Sequence, residues 1–145
     1  MRAVVQRVNH GQVKVDGQAI ASIGSGMVIL LGIGPEDTPE KTGQMAKKVA
    51  QLRIFEDKQG KMNLSLLDIK GEAIVVSQFT LYADTRRGNR PSFVNAASPG
   101  LARQLVDEFI SQLQALGVPT QQGEFGAHML VSLENDGPVT ILLEA

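Results

Sequence analysis

The chain has 145 residues, of which 43% are hydrophobic and 20% charged, as expected for one ordinary globular domain spanning residues 1–145. Cysteine is absent, which excludes a disulfide framework, a thiolate metal site and cysteine catalysis. The formal net charge of -1, taken alone, argues against a nucleic-acid partner.

The first part of the chain is predicted to form strands followed by one helix. Apolar and polar residues alternate up to Asp16-Gly17, a dipeptide typical of hairpin turns. The apolar run at residues 27–33 predicts a buried strand. Thr38 and Pro39 predict a helix N-terminus, and the apolar spacing extends this helix to about Leu52.

The remaining elements complete an α+β pattern. Strands are predicted at residues 53–55 and 74–81, and a cap-then-proline pattern at Ser98 begins a second helix that ends at Gly117. The rest of the chain is predicted to form strands with a turn at residues 135–138. We therefore expect a mainly antiparallel sheet with a barrel-like core, covered by two helices.

No targeting or membrane segment is expected. Arg7 comes before an apolar signal-peptide core can form. The longest apolar run, residues 27–33, is far shorter than the roughly 20 residues that a membrane-spanning helix needs. These observations predict a soluble, cytoplasmic protein with no membrane partner.

Metal and nucleotide-cofactor chemistry are not expected either. His10 and His128 have no histidine or acidic neighbour at metal-ligand spacing. The glycine pairs at residues 24–26 and 32–34 match only the first half of a G-x-G-x-x-G phosphate loop, and no G-x-x-x-x-G-K-[ST] sequence is present. We interpret both glycine pairs as turns and expect neither metal nor cofactor.

The first candidate segment contains Ser77, Gln78, Phe79 and Thr80, directly after a strongly apolar stretch at residues 73–76. Two hydroxyls, an amide and an aromatic ring at a strand end suit the wall of a polar pocket. A strand that only passes from the core to the surface gives the same pattern and is the simpler interpretation.

The second candidate segment contains Arg86, Arg87 and Arg90 and ends at Phe93. Guanidinium groups beside an aromatic ring suit phosphate contacts and base packing, although a solvated charged loop is an equal alternative. Residues 1–103 contain all 14 basic residues and 9 acidic ones, whereas residues 104–145 contain 6 acidic residues and no basic one. The net charge is therefore an average over a basic and an acidic part, and it no longer excludes a nucleic acid.

The third candidate segment contains Gly137 and Pro138. A plain turn between the last two strands accounts for it. A functional role would use the carbonyl oxygens of this dipeptide, which has no bulky side chain and little freedom to move.

Together these segments resemble the D-aminoacyl-tRNA deacylase family over essentially the whole chain. The stretches that carry the resemblance are VVQRV, LRIFED, GKMNLSL, VVSQFTLYAD, RRGNRPSF, ASPG and NDGPVTI. SQFTL and GPVT at this separation form a far more specific pair than either motif alone. No motif position departs from the family pattern.

The resemblance implies an enzyme that hydrolyses the ester between a D-amino acid and the terminal adenosine of tRNA, and that also removes glycine from wrongly charged alanine tRNA. It implies a homodimer whose pocket motif lies at residues 77–80, with a cis Gly137–Pro138 peptide reaching into the other subunit's site. Arg7 matches the family arginine that holds the Gly-Pro motif, and Met129 matches a pocket-lining methionine. The implied partners are the aminoacylated acceptor end of tRNA, bound modestly and with salt sensitivity, and a second copy of the chain.

This division of roles is chemically reasonable. An enzyme that accepts many D side chains and spares L-aminoacyl-tRNA has to recognise the α-carbon, and rigid main-chain carbonyls can bind the α-ammonium group while excluding an L side chain. Glycine has no side chain and is therefore not excluded in this way. For the oxyanion we expect a backbone N–H donor near Phe79 or Thr80. No base is evident beside Thr80, which favours help from the substrate's 2′-hydroxyl over a Thr80 nucleophile.

Two other interpretations stay open. A non-catalytic RNA-binding module would use the arginine segment and a sheet surface, although an aromatic content of 4% with no Trp argues against a base-stacking platform. A structural dimer would use the SQFTL and GPVT segments only as interface strands.

Overall fold

The structure is a computed structural model that describes residues 1–145. Eight strands, two helices and one 3₁₀ turn follow one another along the chain: β1 (Arg2–Val15), β2 (Gln18–Ile23), β3 (Gly26–Gly32), α1 (Pro39–Gln51), β4 (Phe55–Glu56), β5 (Met62–Leu64), β6 (Glu72–Ser77), the 3₁₀ turn (Phe79–Tyr82), α2 (Pro99–Ala115), β7 (Thr120–Gln122) and β8 (Leu130–Glu144). Neither helix combines the length and apolar composition that crossing a membrane requires.

Six strands form one sheet around the long strand β1. Strands β2, β3 and β8 all pair with β1 in antiparallel fashion, and β6 and β7 extend the sheet from β3 through parallel pairs. The side chain of Gln121 exchanges two hydrogen bonds with the Ser22 backbone, at 2.9 and 2.7 Å, and so joins the two ends of the strand order. The predicted α+β fold with a barrel-like sheet and two helices is confirmed, with two parallel pairings added.

The sheet buries apolar side chains on both faces. One cluster consists only of strand residues, among them Val8, Val28 and Ile74. The larger cluster lies between the other face and the two helices, where Met45 and Phe109 are buried. Because successive strand residues point to opposite faces, β3 and β6 contribute to both clusters and are almost completely apolar. These two buried strands support the segments described below.

The helix boundaries agree with the sequence patterns. The Thr38 hydroxyl accepts a hydrogen bond from the Lys41 N–H at 3.3 Å, and α1 begins at Pro39 as predicted. Helix α2 begins at Pro99, although Ser98 makes no capping bond through its side chain. Gly117 follows its C-terminus with a φ of +96°, a conformation that glycine adopts without strain.

Two predicted features are wrong. The strand predicted at residues 74–81 ends at Ser77, because the chain leaves the sheet at Gln78 and turns over the end of β3. The turn predicted at residues 135–138 does not reverse the chain. Strand β8 continues through it, and residues 136–139 bulge out opposite Arg7 while β8 keeps its pairing with β1 on both sides. Local turn chemistry was outweighed by pairing along the whole length of β1.

Candidate active site

A cavity of about 600 Å³ opens at the carboxyl end of β6. Its wall is mostly apolar and comes from four parts of the chain, namely Ile33 after β3, residues 76–79 at the end of β6, residues 93–102 up to the start of α2, and residues 125–131 up to the start of β8. Ser77, Gln78, Phe79 and Met129, all predicted from the sequence, lie in this wall. Three of the four residues of the first candidate segment therefore line a pocket, and Thr80 lies outside its wall.

The segment at the end of β6 is held by backbone hydrogen bonds. The Gln78 N–H donates to the Leu31 carbonyl oxygen at 2.8 Å, which ties the segment to β3. Within the following turn, the N–H groups of Leu81 and Ala83 donate to the carbonyls of Gln78 and Thr80. Phe79 and Thr80 are the first residues of this turn, and their own N–H groups have no backbone partner.

Two glycines allow this turn to pack closely against the end of β3. A Cβ at Gly32 would lie 2.9 Å from the Gln78 carbonyl oxygen, and one at Gly34 would lie 2.8 Å from the Tyr82 hydroxyl oxygen. Both distances are shorter than normal van der Waals contact. The glycine pair at residues 32–34 therefore seats the turn that carries Phe79 and Thr80, which is more than the connecting turn expected from the sequence.

Tyr82 ends the 3₁₀ turn and does not line the cavity. Its ring packs against Gly34, and the Arg2 guanidinium lies 4.7 Å from the ring centroid. Burial, with a smaller effect from the charge of Asp37, raises the pKa of Tyr82 to about 12. The phenol therefore stays neutral under physiological conditions and acts as a packing group.

Thr80 has a hydrogen-bond partner but no base. The Gln78 Nε2 donates to Thr80 Oγ1, and no carboxylate or imidazole forms a hydrogen bond with this hydroxyl. A nucleophilic hydroxyl needs an adjacent group to accept its proton. The geometry around Thr80 thus suits orientation rather than nucleophilic attack.

The arginine segment is joined to the cavity through an aromatic pair. The rings of Phe79 and Phe93 meet edge to face with centroids 5.0 Å apart. Asp84 and Ser92 close the segment with two backbone hydrogen bonds of 2.8 and 2.9 Å. The predicted Arg86, Arg87 and Arg90 therefore lie on a closed loop beside the wall of the cavity.

The three arginines of this loop differ in their partners. Two nitrogens of the Arg86 guanidinium bond both carboxylate oxygens of Asp84, at 2.9 and 2.6 Å. These bonds, together with the Arg86 N–H, lower the pKa of Asp84 to about 2. Arg87 and Arg90 form no ion pair. Of the three charges, two are unopposed.

Strand pairing offsets part of the charge separation seen along the sequence. Because β8 lies beside β1, Glu144 pairs with Arg2 at 2.9 Å, and Asp136 approaches Arg7 at 3.5 Å. Acidic residues of the last part of the chain thus neutralise basic residues of the first. The loop that carries Arg87 and Arg90 is outside this neutralised region.

The Gly-Pro segment is held by a buried arginine. The Arg7 side chain is only 6% exposed, and it donates to the carbonyl oxygens of Asp136 at 2.9 Å and Ile54 at 2.7 Å. The Asn135 carboxamide accepts from the Val139 N–H at 2.8 Å and donates to Thr140 Oγ1 at 2.9 Å. The Gly137–Pro138 peptide between these anchors is cis, as the resemblance implies.

The cavity and the Gly-Pro segment are separate within one chain. Gly137 and Pro138 are exposed on β8 and are absent from the wall of the cavity, as is Arg7. The structure therefore brings Met129 together with residues 77–79, while the Gly-Pro dipeptide faces outward from its own chain.

Several cavity residues were not foreseen from the sequence. Phe125 lies in the wall, and the Arg103 guanidinium lies 5.0 Å from the centroid of its ring. His128, set aside above as a metal ligand, also lines the cavity. These residues come from short segments without periodicity or motif, so no sequence pattern pointed to them. No three His, Asp or Glu side chains lie close enough to hold a metal ion.

Comparisons with known proteins agree with one another. The family model described as D-Tyr-tRNA(Tyr) deacylase matches residues 4–144. A D-aminoacyl-tRNA deacylase from Desulfatibacillum aliphaticivorans is 55% identical over all of this chain and 99% of its own length, and one from Roseiflexus castenholzii is 59% identical over all of this chain and 92% of its own length.

Two solved structures have the same fold. One, titled c-Myc DNA Unwinding Element Binding Protein, is 43% identical with a TM-score of 0.95 and covers 100% of this chain and 99% of its own. The other, titled as a probable eukaryotic D-amino acid tRNA deacylase, is 16% identical with a TM-score of 0.83 over 98% of this chain and 97% of its own.

Proposed function

The chain belongs to the D-Tyr-tRNA(Tyr) deacylase family, a family of hydrolases acting on the aminoacyl-tRNA ester, and we propose that it removes D-amino acids, and glycine from alanine tRNA, at a site completed by a second subunit. The observation that carries the proposal is the cavity beside residues 77–79. Its volume of about 600 Å³ lies within the roughly 300–1,000 Å³ of small-molecule sites, and its apolar wall suits an adenosine.

The free N–H groups at the start of the 3₁₀ turn are our candidate oxyanion donors. Phe79 and Thr80 have no backbone partner for these groups, and the turn is fixed by Gly32 and Gly34 behind it. Donors that are already oriented stabilise the negative charge that develops on the ester carbonyl oxygen without reorganising. An aminoacyl ester is reactive, so orientation and this stabilisation account for most of the catalysis required.

The substrate's own 2′-hydroxyl is proposed to accept the proton of the attacking water while its own proton passes to the departing 3′-oxygen, so that the ester C–O bond breaks to give the free amino acid and the 3′-hydroxyl of the tRNA. Thr80 lacks a neighbouring base, and its hydroxyl oxygen already accepts a hydrogen bond from Gln78. Thr80→Ala should therefore keep substantial deacylation of D-tyrosyl-tRNA, whereas a tRNA ending in 2′-deoxyadenosine should not be turned over. An inactive Thr80→Ala protein with intact substrate binding would instead make Thr80 the nucleophile.

Chirality is proposed to be read by Gly137 and Pro138 of the opposite subunit. Rigid main-chain carbonyls would bind the α-ammonium group and fill the space on the side where an L side chain projects. Two observations support this arrangement, namely the exposure of the dipeptide outside its own cavity wall and its anchoring by Arg7. Glycine has no side chain to exclude, which supports activity on glycine-charged alanine tRNA.

The free edge of β8 supports a homodimer. This strand of 15 residues pairs with β1 alone, and Leu130 and Leu142 on it are 59% and 60% exposed. A long edge strand with exposed apolar side chains is normally covered by another chain. A second copy is the partner that would place the Gly-Pro dipeptide in a cavity.

Mixed dimers test the two-subunit site directly. One inactive variant would carry Pro138→Ala and the other Gln78→Ala, and the two chains would be co-expressed with different tags. If the dipeptide acts on the opposite subunit, each heterodimer contains one intact site, and random mixing restores about a quarter of wild-type activity. If the dipeptide acts on its own subunit, mixing restores nothing, and the cross-subunit part of the proposal is wrong.

We propose that Arg87 and Arg90 contact the tRNA backbone and that Arg86 contributes less. The Arg86 charge is opposed by Asp84, whereas the other two are unopposed. Arg87→Ala and Arg90→Ala should each weaken tRNA binding and lower the slope of log Kd against log salt by about one, with Arg86→Ala as the matched control. Equal effects of all three substitutions would contradict this ranking.

The alternative function is a non-catalytic RNA-binding module. Incubating the wild-type protein with D-tyrosyl-tRNA and with L-tyrosyl-tRNA, and measuring the release of tyrosine, separates the two. Release from the D substrate alone supports the editing enzyme. Binding of both without release supports the module.

A further inference from the structure

Gly123 follows β7 directly and lies behind the wall of the cavity. Its N–H donates to the Val75 carbonyl oxygen at 3.0 Å, which continues the parallel pairing between β7 and β6. This bond fixes the backbone of Gly123 to the strand that ends at Ser77. A group that crowds Gly123 must therefore move, because Gly123 itself is held.

The thioether of Met129 occupies the space that a side chain at residue 123 would need. A Cβ on Gly123 would lie 2.5 Å from Met129 Sδ and 3.7 Å from its Cε, with Val76 Cγ2 at 3.8 Å. Non-bonded heavy atoms are normally about 3.5–4.0 Å apart, so a methyl group and the sulfur cannot share this space. The backbone of Gly123 lies outside the left-handed region, so its conformation does not require glycine.

Met129 and Val76 both lie in the wall of the cavity, together with Gln78 and Phe79. A methionine side chain is unbranched and flexible, so crowding displaces the thioether without unfolding the chain. We propose that Gly123 is a positioning residue, which by lacking a side chain leaves space for the Met129 thioether beside β7 and keeps the cavity open for the aminoacylated adenosine. The substrate named here rests on the proposed function, whereas the positioning of Met129 by Gly123 (the seat) rests on the distances between these two residues.

Gly123→Ala tests the proposal, with Gly43→Ala as the matched control because a Cβ at Gly43 meets nothing within 4 Å. We expect Gly123→Ala to keep a cooperative thermal transition and to lower kcat/KM for D-tyrosyl-tRNA about tenfold or more, since small displacements in a site carry large kinetic costs. The loss should fall mainly on KM, because a narrowed cavity weakens ground-state and transition-state binding alike. Wild-type kinetics in Gly123→Ala would overturn the proposal.

A double-mutant cycle with Met129→Ala shows whether Gly123 acts through Met129. In the Met129→Ala background the thioether is gone, so adding Gly123→Ala should cause no further loss. Independent, additive losses would overturn the proposal. If Gly123→Ala alone fails to fold, folding of the double variant supports the seat, and failure of the double variant to fold overturns it.

Methyl NMR gives a readout that does not depend on catalysis. The chain has 5 methionines, and the ¹³C-methyl resonance of Met129 is assigned by its absence in Met129→Ala. Gly123→Ala should shift this resonance, whereas Gly43→Ala should leave it in place. A shifted Met129 resonance in Gly123→Ala, together with a wild-type protein that has no deacylase activity, supports the positioning of Met129 by Gly123 and refutes the proposed function. An unshifted resonance in an active enzyme refutes the seat alone.

Discussion

The cavity segment at residues 77–80 and the Gly-Pro segment at residues 135–140 are held by opposite physical means. The first segment needs positions without side chains, because only the lack of a Cβ at Gly32 and Gly34 allows the 3₁₀ turn to approach the end of β3. The second segment needs polar side chains, because Arg7 and Asn135 form hydrogen bonds with its backbone.

This difference predicts how each segment fails. A sterically seated segment is damaged by added bulk and is indifferent to charge, since its neighbours are already in contact. A segment held by polar side chains is damaged by deletion, because each lost donor leaves a carbonyl group without a partner. Substitutions of the two kinds should therefore separate the two modes of support.

The largest effect is expected from Arg7→Ala. The substitution removes the donors to the buried Ile54 carbonyl and to the Asp136 carbonyl, and it leaves space where a buried guanidinium had been. We expect a loss of about 3 kcal/mol in the free energy of unfolding, measured by urea denaturation, together with loss of deacylation. Arg7→Lys serves as the control, because one ammonium group can bond only part of this set and should give an intermediate loss.

Gly34→Ala should have the next largest effect. The new methyl group would meet the hydroxyl oxygen and ring of Tyr82 at 2.8–3.1 Å, and the turn that carries Phe79 would have to shift. Overpacking of this kind lowers the free energy of unfolding by about 1–3 kcal/mol. We expect the loss of deacylation rate, expressed as a free energy, to be larger than this loss of stability. Gly43→Ala, on α1 with open space around it, should instead be neutral or stabilise the protein by about 0.5–1 kcal/mol. Equal behaviour of the two variants would remove the steric half of the comparison.

Asn135→Ala should cost less, about 1 kcal/mol, because it leaves the Val139 N–H without its acceptor in a partly exposed region. The ratio of kcat/KM for D-tyrosyl-tRNA to kcat/KM for L-tyrosyl-tRNA, expressed as a free energy, should change by more than the free energy of unfolding does. Asn135→Asp is the matched control, since it keeps the acceptor for Val139 and loses only the donor to Thr140. Unchanged discrimination in Asn135→Ala would show that Arg7 alone positions the dipeptide.

The smallest effect concerns Tyr82 and appears only at high pH. Because Tyr82 is the single tyrosine and the chain has no Trp, tyrosinate absorbance reports this side chain alone. Burial raises its folded-state pKa from the ordinary 10 to about 12. The unfolded chain therefore loses this proton first, and stability should fall as pH rises from 10 towards 12.

Tyr82→Phe should remove that contribution to the alkaline loss of stability. The absorbance titration of the wild-type protein should have its midpoint near pH 12. A midpoint at the ordinary value of 10 would mean that the ring is not packed against Gly34 as described.

Local patterns predicted most of the elements because the interactions that decide them are local. The hairpin at Asp16 and Gly17 depends on two residues with positive φ, and α1 depends on the Thr38 cap and Pro39. The end of β6 at Ser77 was not predictable, because the 3₁₀ turn that follows Gln78 packs against Gly32 and Gly34, which are distant in the sequence. The bulge at residues 136–139 was missed for a similar reason, since the residue that anchors it lies on β1, near the opposite end of the sequence.

The residues of the candidate site likewise divide into those that the sequence predicted and those that it did not. Motif chemistry identified Gln78 and Phe79 as pocket residues, the family resemblance implied Met129, and all three line one cavity. It did not find Phe125 or His128, which come from a short irregular segment and enter the wall only because α2 and β8 bring that segment there.

By itself, the sequence determined the two helices, the strand-rich regions around them and the chemical character of the three candidate segments. These follow from caps, turns and apolar periodicity, whose energies arise between residues a few positions apart. Only the tertiary structure decided that Arg2 pairs with Glu144, that the glycine pair at residues 32–34 seats a turn, and that Gly137 faces away from its own cavity. Ion pairing, close packing and accessibility depend on distances in space, and folding sets those distances between residues far apart in the chain.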